Sequence, residues 1–395
     1  MRVLIATREY PPFSVGGISK HTFYLATYLK KKGVRVLVVS FGDPKLSNDE
    51  VLFVKPKSSI IARKHGNLAE DVKIPLDIAR FTAYVKSILR SGDYDILHVT
   101  EPYVGGLIPY DYKVTTIHHT GFGEIRVHLR YRESEIIERL IFYTTIGYVM
   151  EFASIATSRV IITPSPASLW ELTKVYRVPL KKLRFIPNGV EEPLPDEPDK
   201  MSARRILKIP EDCFIVFTTA YHVARKRLET LIKATKIVKD KGHRNMLIIV
   251  GGEGPLTKFL IKLATNLGVQ DIVRFTGWIP DDKLPLYYRA SDVFVVTSEY
   301  EGGPLTMLEA GIRGIPLVVT DVPSGLMMLA RNGVDCLKFK LGDANDLAEK
   351  LIILSSNYEL WRKLSVGAKT FASMFRWERI IDKILSVYRE VLSFG

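Results

Sequence analysis

Cysteine is almost missing from this chain: Cys213 and Cys336 are the only two in 395 residues, far apart and in no metal-ligand spacing. A disulfide framework and a zinc ribbon are both excluded, and a reducing compartment is expected. Long apolar runs are missing too. One of the longest uncharged apolar-rich stretches, "LIFYTTIGYVM" at 140–150, is closed by Arg139 and Glu151 and falls short of the roughly 20 residues that a bilayer helix needs. "MRVLIATREYPP" passes from Met1 straight into a β-branched run, without the charged and apolar regions of a signal peptide. The expected location is cytoplasmic. Glutamine occurs once, at Gln270, against abundant Lys, Arg, Glu and Ile, a bias found in heat-adapted proteins. No helix-turn-helix, zinc or aromatic RNA-stacking pattern is present, so a nucleic-acid-binding reading would rest on charge alone.

What is there describes a soluble α/β protein. Apolar residues make up 47% and charged residues 25%, the values of a globular chain, and the length suits two domains of about 150–200 residues. Basic residues number 56 against 43 acidic, a net +13. Residues 1–190 carry 27 Lys and Arg against 17 Asp and Glu, a net +10, and the remainder only +3. A field of that sign draws nucleic acid, an anionic membrane or phosphorylated small molecules alike. A merely solvated basic surface would look the same.

Short β-branched runs alternate with stretches of helical period. "VLIAT", "VRVLVVS", "DILHVT", "VTTIHHT", "RVIITPS" and "LRFIPNGV" are strand candidates, with helices expected over 17–32, 74–91 and 133–157. After an acidic, Pro-rich linker, "NGVEEPLPDEPDK" at 188–200, the alternation restarts with "FIVFTTA", "MLIIVGG", "IVRFTGW", "DVFVVTS" and "PLVVTD", and helices near 227–241, 256–268, 281–290 and 304–313. This pattern predicts α/β architecture: two doubly wound, Rossmann-like domains, 1–190 and 191–375, facing across a cleft, then a terminal helix in 376–395. In such sheets ligands gather at the carboxyl ends of the strands.

Two glycine-rich turns follow strands, "YPPFSVGGISKH" at 10–21 and "VGGEGPL" at 250–256. Gly16 and Gly17 open a helix, where free N–H groups suit a phosphate; as a bare pattern each turn could equally be a tight corner. The second fails the dinucleotide fingerprint, since Thr257 stands where the third glycine belongs. A further feature is "SEYEGGPLTMLEAGIRGIPLVVTD" at 298–321, which holds Glu301 in the loop after a strand and Glu309 inside the next helix, among apolar neighbours. A carboxylate in that company wants hydroxyl or N–H partners. Pairs of sugar hydroxyls would serve both acids, as would partners within the protein.

The last segment resembles the E-x7-E region of retaining glycosyltransferases of the GT-B fold, the "glycosyl transferases group 1" or family-4 type. The similarity runs along nearly the whole chain: "EYPPFSVGGISKH", "DYDILHVTEP", "TTIHHTGFG", "FIPNGVEEP", "ARKRLETLIKA", "LIIVGGEGPL" and "VRFTGWIPDDKLPLYYRASDVFVVTSEYEG" resemble the family's motifs in order. The resemblance implies transfer of a hexose from a UDP-, GDP- or ADP-sugar to a sugar, lipid or other hydroxyl acceptor, with an α-glycosidic product. No cofactor and no metal are implied; by the resemblance the donor would be bound mainly by the second domain and the acceptor by the first, and the terminal helix would cross back onto the first domain. Carried over, Glu309 would hold the ribose hydroxyls and Glu301 those of the transferred sugar, assisted by N–H groups of Gly302, Gly303 and Leu305. Lys226 would neutralise the diphosphate, Gly16 and Gly17 would let the backbone approach it, and His118 would sit near the anomeric carbon. Glu301, His118 and Lys226 are the implied catalytic residues.

Three departures mark this chain. The family's Gly-Arg before the lysine is Ala220-Tyr221, the glycine after it is Arg227, and its later Gly-Gly is "PSG", Pro323 to Gly325. A lone lysine lacks the fork that grips two phosphate oxygens, so Arg225 is expected to replace the absent arginine. Ser14 stands where glycogen synthase has lysine, which disfavours that activity. A non-hydrolysing nucleotide-sugar epimerase is the alternative of similar fold. Peripheral attachment to anionic membrane is a further expectation from the basic first half.

Overall fold

The structure, a computed structural model, describes residues 1–13, 16–57, 74–129 and 144–393. Ser14 and residues 133–143 of the helix expected over 133–157 lie outside them. The chain divides into two compact units, Met1–Gly189 with Trp377–Gly395, and Val190–Arg376.

The first unit is built on seven parallel strands: β1 (Arg2–Ala6), β2 (Arg35–Phe41), β3 (Val51–Val54), β4 (Ile96–Val99), β5 (Lys113–Thr116), β6 (Val160–Thr163) and β7 (Leu183–Phe185), in the order β3-β2-β1-β4-β5-β6-β7. Six parallel strands build the second: β8 (Phe214–Thr219), β9 (Met246–Gly251), β10 (Val273–Gly277), β11 (Val293–Val296), β12 (Leu317–Thr320) and β13 (Leu337–Phe339), ordered β10-β9-β8-β11-β12-β13. Covered on both faces by helices, the central strands are continuous apolar runs; β4, β6, β11 and β12 are buried at every residue. Two strands escape the sequence pattern, β3 and β13. Each is short and lies at a sheet edge, with half-buried residues that blur the apolar run.

Strand order reverses between β1 and β4 in one sheet and between β8 and β11 in the other. Loops leaving the carboxyl ends of those strands diverge to opposite sides and leave a crevice for ligand.

The helix Trp377–Ser393 belongs to the first unit. Its buried residues, Trp377, Ile380, Ile381, Ile384, Leu385, Tyr388 and Val391 among them, recur at three- and four-residue spacing and join the cluster formed by Val3, Ile5, Leu25, Val36 and Ile96. Burying each large side chain is worth about 1.5–3 kcal/mol. Directional bonds fix the docking: the Tyr28 hydroxyl donates to Glu378 at 2.8 Å, and the Tyr388 hydroxyl and His98 Nδ1 share a hydrogen bond of 2.6 Å. Tyr388 is therefore both a packing residue and a polar anchor.

Candidate active site

In the second unit the loops after β8 and β11 flank the reversal of strand order, and the backbone sews them together. Glu299 N–H donates to the Arg225 carbonyl at 2.9 Å, and the Thr297 hydroxyl to the Lys226 carbonyl at 2.6 Å. Residues 224–226 form a single 3-10 turn and the helix begins at Leu228. Between them Arg227 takes a left-handed conformation, φ +51°. That conformation explains why the related pattern has glycine there. The Arg227 guanidinium reaches Glu229 at 3.0 Å and Glu299 at 3.8 Å.

Arg225 and Lys226 converge on Glu301. Lys226 Nζ donates to Glu301 Oε1 at 2.5 Å; Arg225 donates to Oε2 at 3.3 Å and to the Tyr300 carbonyl at 3.0 Å. Glu301 is 5% exposed. Burial alone would raise its pKa, but Lys226 and Arg225 outweigh burial and hold the carboxyl down at about 2. It is an ionised acceptor at any working pH. Its backbone is fastened by Ser324, whose hydroxyl accepts from Glu301 N–H at 2.8 Å and donates to the Glu301 carbonyl at 3.1 Å. Gly325 has φ +55°, where a side chain is strained, and an added Cβ would stand a tight 3.0 Å from Glu301 Cβ. The glycine that "PSG" keeps, Gly325, is the one in the left-handed region, whereas Ser324 is extended at φ −142°.

Gly302 and Gly303, both half-buried, lead through Pro304 into the helix Leu305–Ile312. The first N–H groups of that helix, Leu305's included, have no intrahelical acceptor. Glu309 is its fifth residue and is buried. The Tyr288 hydroxyl donates to Glu309 Oε2 at 2.8 Å. Burial first, then the Glu309 carboxylate, push the Tyr288 hydroxyl well above the usual phenol range, so it stays a donor. Tyr288 and Ser324 are partners that sequence reasoning missed. A tyrosine in "PLYYRAS" and a serine in "PSG" carry no local sign of glutamates 21 and 23 residues away.

The two glycine-rich turns now separate. Gly252 has φ +91° and an added Cβ would fall 2.0 Å from the Ala220 carbonyl; at Gly254 it would fall 2.7 Å from His222 backbone. These glycines let the turn pack on the segment after β8, and His222 locks it through Thr257 at 2.9 Å and the Gly251 carbonyl at 3.2 Å. Gly16 is different. It is extended, at φ −174°, and an added Cβ would meet nothing within 4 Å. Neither conformation nor crowding requires glycine at 16, just before the helix Gly17–Lys31.

In the first unit the expected strand around the His pair ends at Thr116, so His118 and His119 sit in the following turn. The alternation of a strand does not apply there, yet the two diverge. His119 is half-buried, with Nε2 3.4 Å from Glu124; His118 is 7% exposed. Burial, reinforced by His21, His119 and His98, lowers His118 well below the ordinary histidine pKa. A third group missed in the sequence lies where strand order reverses: Arg8, after β1, pairs with Glu9 at 2.6 Å and with Glu101, after β4, at 3.2 Å. Both glutamates are buried.

Known proteins place this architecture. Residues 15–192 match the family model "Glycosyltransferase Family 4" and residues 199–371 match "Glycosyl transferases group 1". An uncharacterized glycosyltransferase of Methanocaldococcus jannaschii is 26% identical over 98% of this chain and 98% of its own length. A D-inositol 3-phosphate glycosyltransferase of Actinosynnema mirum is 26% identical over 94% of this chain and 92% of that protein. Among solved structures, sucrose-phosphate synthase of Thermosynechococcus elongatus superposes with a TM-score of 0.79 at 20% identity, covering 100% of both chains. HepE of Anabaena in complex with UDP-glucose gives 0.71 at 18% identity, again over 100% of both. With its two halves matched in turn by two glycosyltransferase models and its fold shared end to end with such enzymes, the chain belongs to the group 1, family-4 type of glycosyltransferases with the GT-B fold.

Proposed function

We propose that this glycosyltransferase moves a hexose from a nucleoside diphosphate sugar to a hydroxyl acceptor with retention of configuration, giving an α-glycoside. The observation that carries the proposal is the buried, ionised Glu301 between Lys226 and Arg225, beside the amino end of the helix that bears Glu309. As the acceptor oxygen bonds to the anomeric carbon, the sugar–phosphate bond breaks, its electrons pass to the diphosphate, and the acceptor proton goes to a leaving phosphate oxygen. Charge grows on the diphosphate and on the sugar at once, and preset donors lower the barrier most where charge develops. Lys226 and Arg225 meet the phosphates in place of a metal, with the N–H groups of Gly302, Gly303 and Leu305 beside them. Glu301 takes the hydroxyls of the transferred sugar, Glu309 those of the ribose. Gly16 and Gly17 admit the diphosphate close to the backbone, and His118 lies by the reacting carbon. Attachment to anionic membrane follows if the acceptor is lipid-borne.

UDP-glucose is the first donor to try, because a relative of the same fold was solved with it. A thermal-shift screen of UDP, GDP, ADP and their sugars identifies the nucleotide, since a ligand bound only by the folded state raises apparent stability. The anomeric proton coupling of the product then reports retention, and chelator should leave the rate unchanged. No stabilisation by any nucleotide would overturn the reading; an epimerised sugar formed from donor alone would replace it with the epimerase.

A further inference from the structure

His21 lies in the second turn of the helix Gly17–Lys31 and is 4% exposed, and neither ring nitrogen has a hydrogen-bond partner among the described residues. Burial pushes its pKa down to about 4, so the ring is neutral near pH 7. What the ring does touch is specific. Its centroid lies 4.8 Å from that of His118 with the planes at 83°, an edge-to-face contact, and 5.4 Å from the fully buried indole of Trp377. Trp377 is itself fixed, stacked on Tyr28 at 5.8 Å and admitted by Gly189, where an added Cβ would meet the indole at 2.4 Å. His118 Nε2 has no partner among the described residues either, so no hydrogen bond to that nitrogen sets the ring's rotation.

We propose that His21 is a positioning residue for His118: wedged against Trp377, it sets the rotation of the His118 imidazole through the edge-to-face contact and so the way that ring is presented to the reacting sugar. The proposal rests on the reading of His118 as neighbour of the transferred sugar. Aromatic pairs prefer this geometry for electrostatic reasons, the positive ring edge meeting the negative face. A ring that held His118 by shape alone could be replaced by phenylalanine; a slack leucine could not.

The test uses the whole chain with UDP-glucose as first probe, or with whichever nucleotide sugar stabilises it in the screen. His21→Leu should lower kcat about 10–100-fold, the cost of misplacing a reacting group by about an ångström, with the KM for donor unchanged. His21→Phe should stay within about threefold of the parent. In a His118→Ala background His21→Leu should cost nothing more, because coupled residues are not additive. Independently of turnover, nitrogen NMR of labelled histidine should show the His118 ring resonances moved in His21→Leu and kept in His21→Phe. Equal cost of His21→Leu with and without His118, or unmoved His118 resonances, overturns the proposal while the function stands. Full turnover in His118→Ala removes the role of His118 itself, and the proposal with it.

Discussion

At the scale of single residues, the two acids of the second unit have different surroundings, and that difference predicts different phenotypes. Glu309 accepts from Tyr288 inside the unit, whereas Glu301 is held between two cations that a diphosphate would also claim. Glu309→Gln should weaken binding of the free nucleoside diphosphate about tenfold to a hundredfold, the worth of one or two hydrogen bonds to a charged group. Glu301→Gln should leave that affinity unweakened, since it releases Lys226 and Arg225, while sugar transfer collapses. Calorimetric titration with the diphosphate and a rate assay separate the two; equal loss of diphosphate affinity in both would refute the division. The same carboxylate has a pH signature. Its folded pKa of about 2 lies below the ordinary 4.5, so its stabilisation is complete above the unfolded value and is lost as pH falls through 2. Glu301→Gln should flatten that part of the acid-unfolding curve.

Arg225 illustrates what a sequence motif leaves open. From the sequence, Arg225→Ala is expected to cost about 10²–10³ in turnover, the range for one preorganised donor, with little change in melting temperature. Its bonds to the Tyr300 carbonyl and Glu301 revise the second half. Removing it should also destabilise the ligand-free protein, by about 1–3 kcal/mol, read from denaturant unfolding at equal slope. Normal transfer by Arg225→Ala would mean that Lys226 and backbone N–H groups suffice.

At the scale of elements, the turn before the helix Leu228–Asp240 stores strain that glycine would relieve. A non-glycine residue in the left-handed region costs about 1–2 kcal/mol, and Arg227 sits there at φ +51° with its guanidinium on Glu229 and Glu299. Arg227→Ala loses the ion pairs and keeps the strain; Arg227→Gly loses both. The glycine variant should therefore be the more stable of the two by about 1 kcal/mol, compared by denaturant midpoints. The reverse order would show that the turn changes conformation in the variants. Elements were legible where burial is one-sided or complete, as in the terminal helix with its apolar stripe or in β11 and β12. They were illegible at β3 and β13, because a short edge strand has one covered flank and tolerates polar residues.

For the whole molecule, net charge and local charge point in different directions. Residues 1–190 carry +10, yet the carboxyl ends of their strands gather buried Glu9, Glu101 and Glu124 against Arg8 and His119. Among the described residues no helix is long and apolar enough to cross a membrane; the attachment proposed above is an electrostatic one. The protein should float with vesicles of anionic lipid at low salt and be released as ionic strength rises, about 1 kcal/mol per basic contact being screened within a Debye length. Protein left at the bottom of the gradient in low salt would end the idea.

By itself the sequence determined that two α/β units follow one another, that Glu301 lies in the loop after a strand and Glu309 within the next helix, and that an ordered set of motifs resembles a glycosyltransferase. Period, burial and turn chemistry are local properties, readable from neighbours in the chain. Only the tertiary structure decided that Lys226 and Arg225 close on Glu301 from 75 and 76 residues away, that Tyr288 and Ser324 hold the two acids, and that the glycines of 250–256 serve packing while Gly16 does not. Those contacts depend on the order in which strands pair: β8 lies beside β11 with β9 and β10 on its other side, and the hydrogen-bonding groups that drive pairing are the same backbone in every strand.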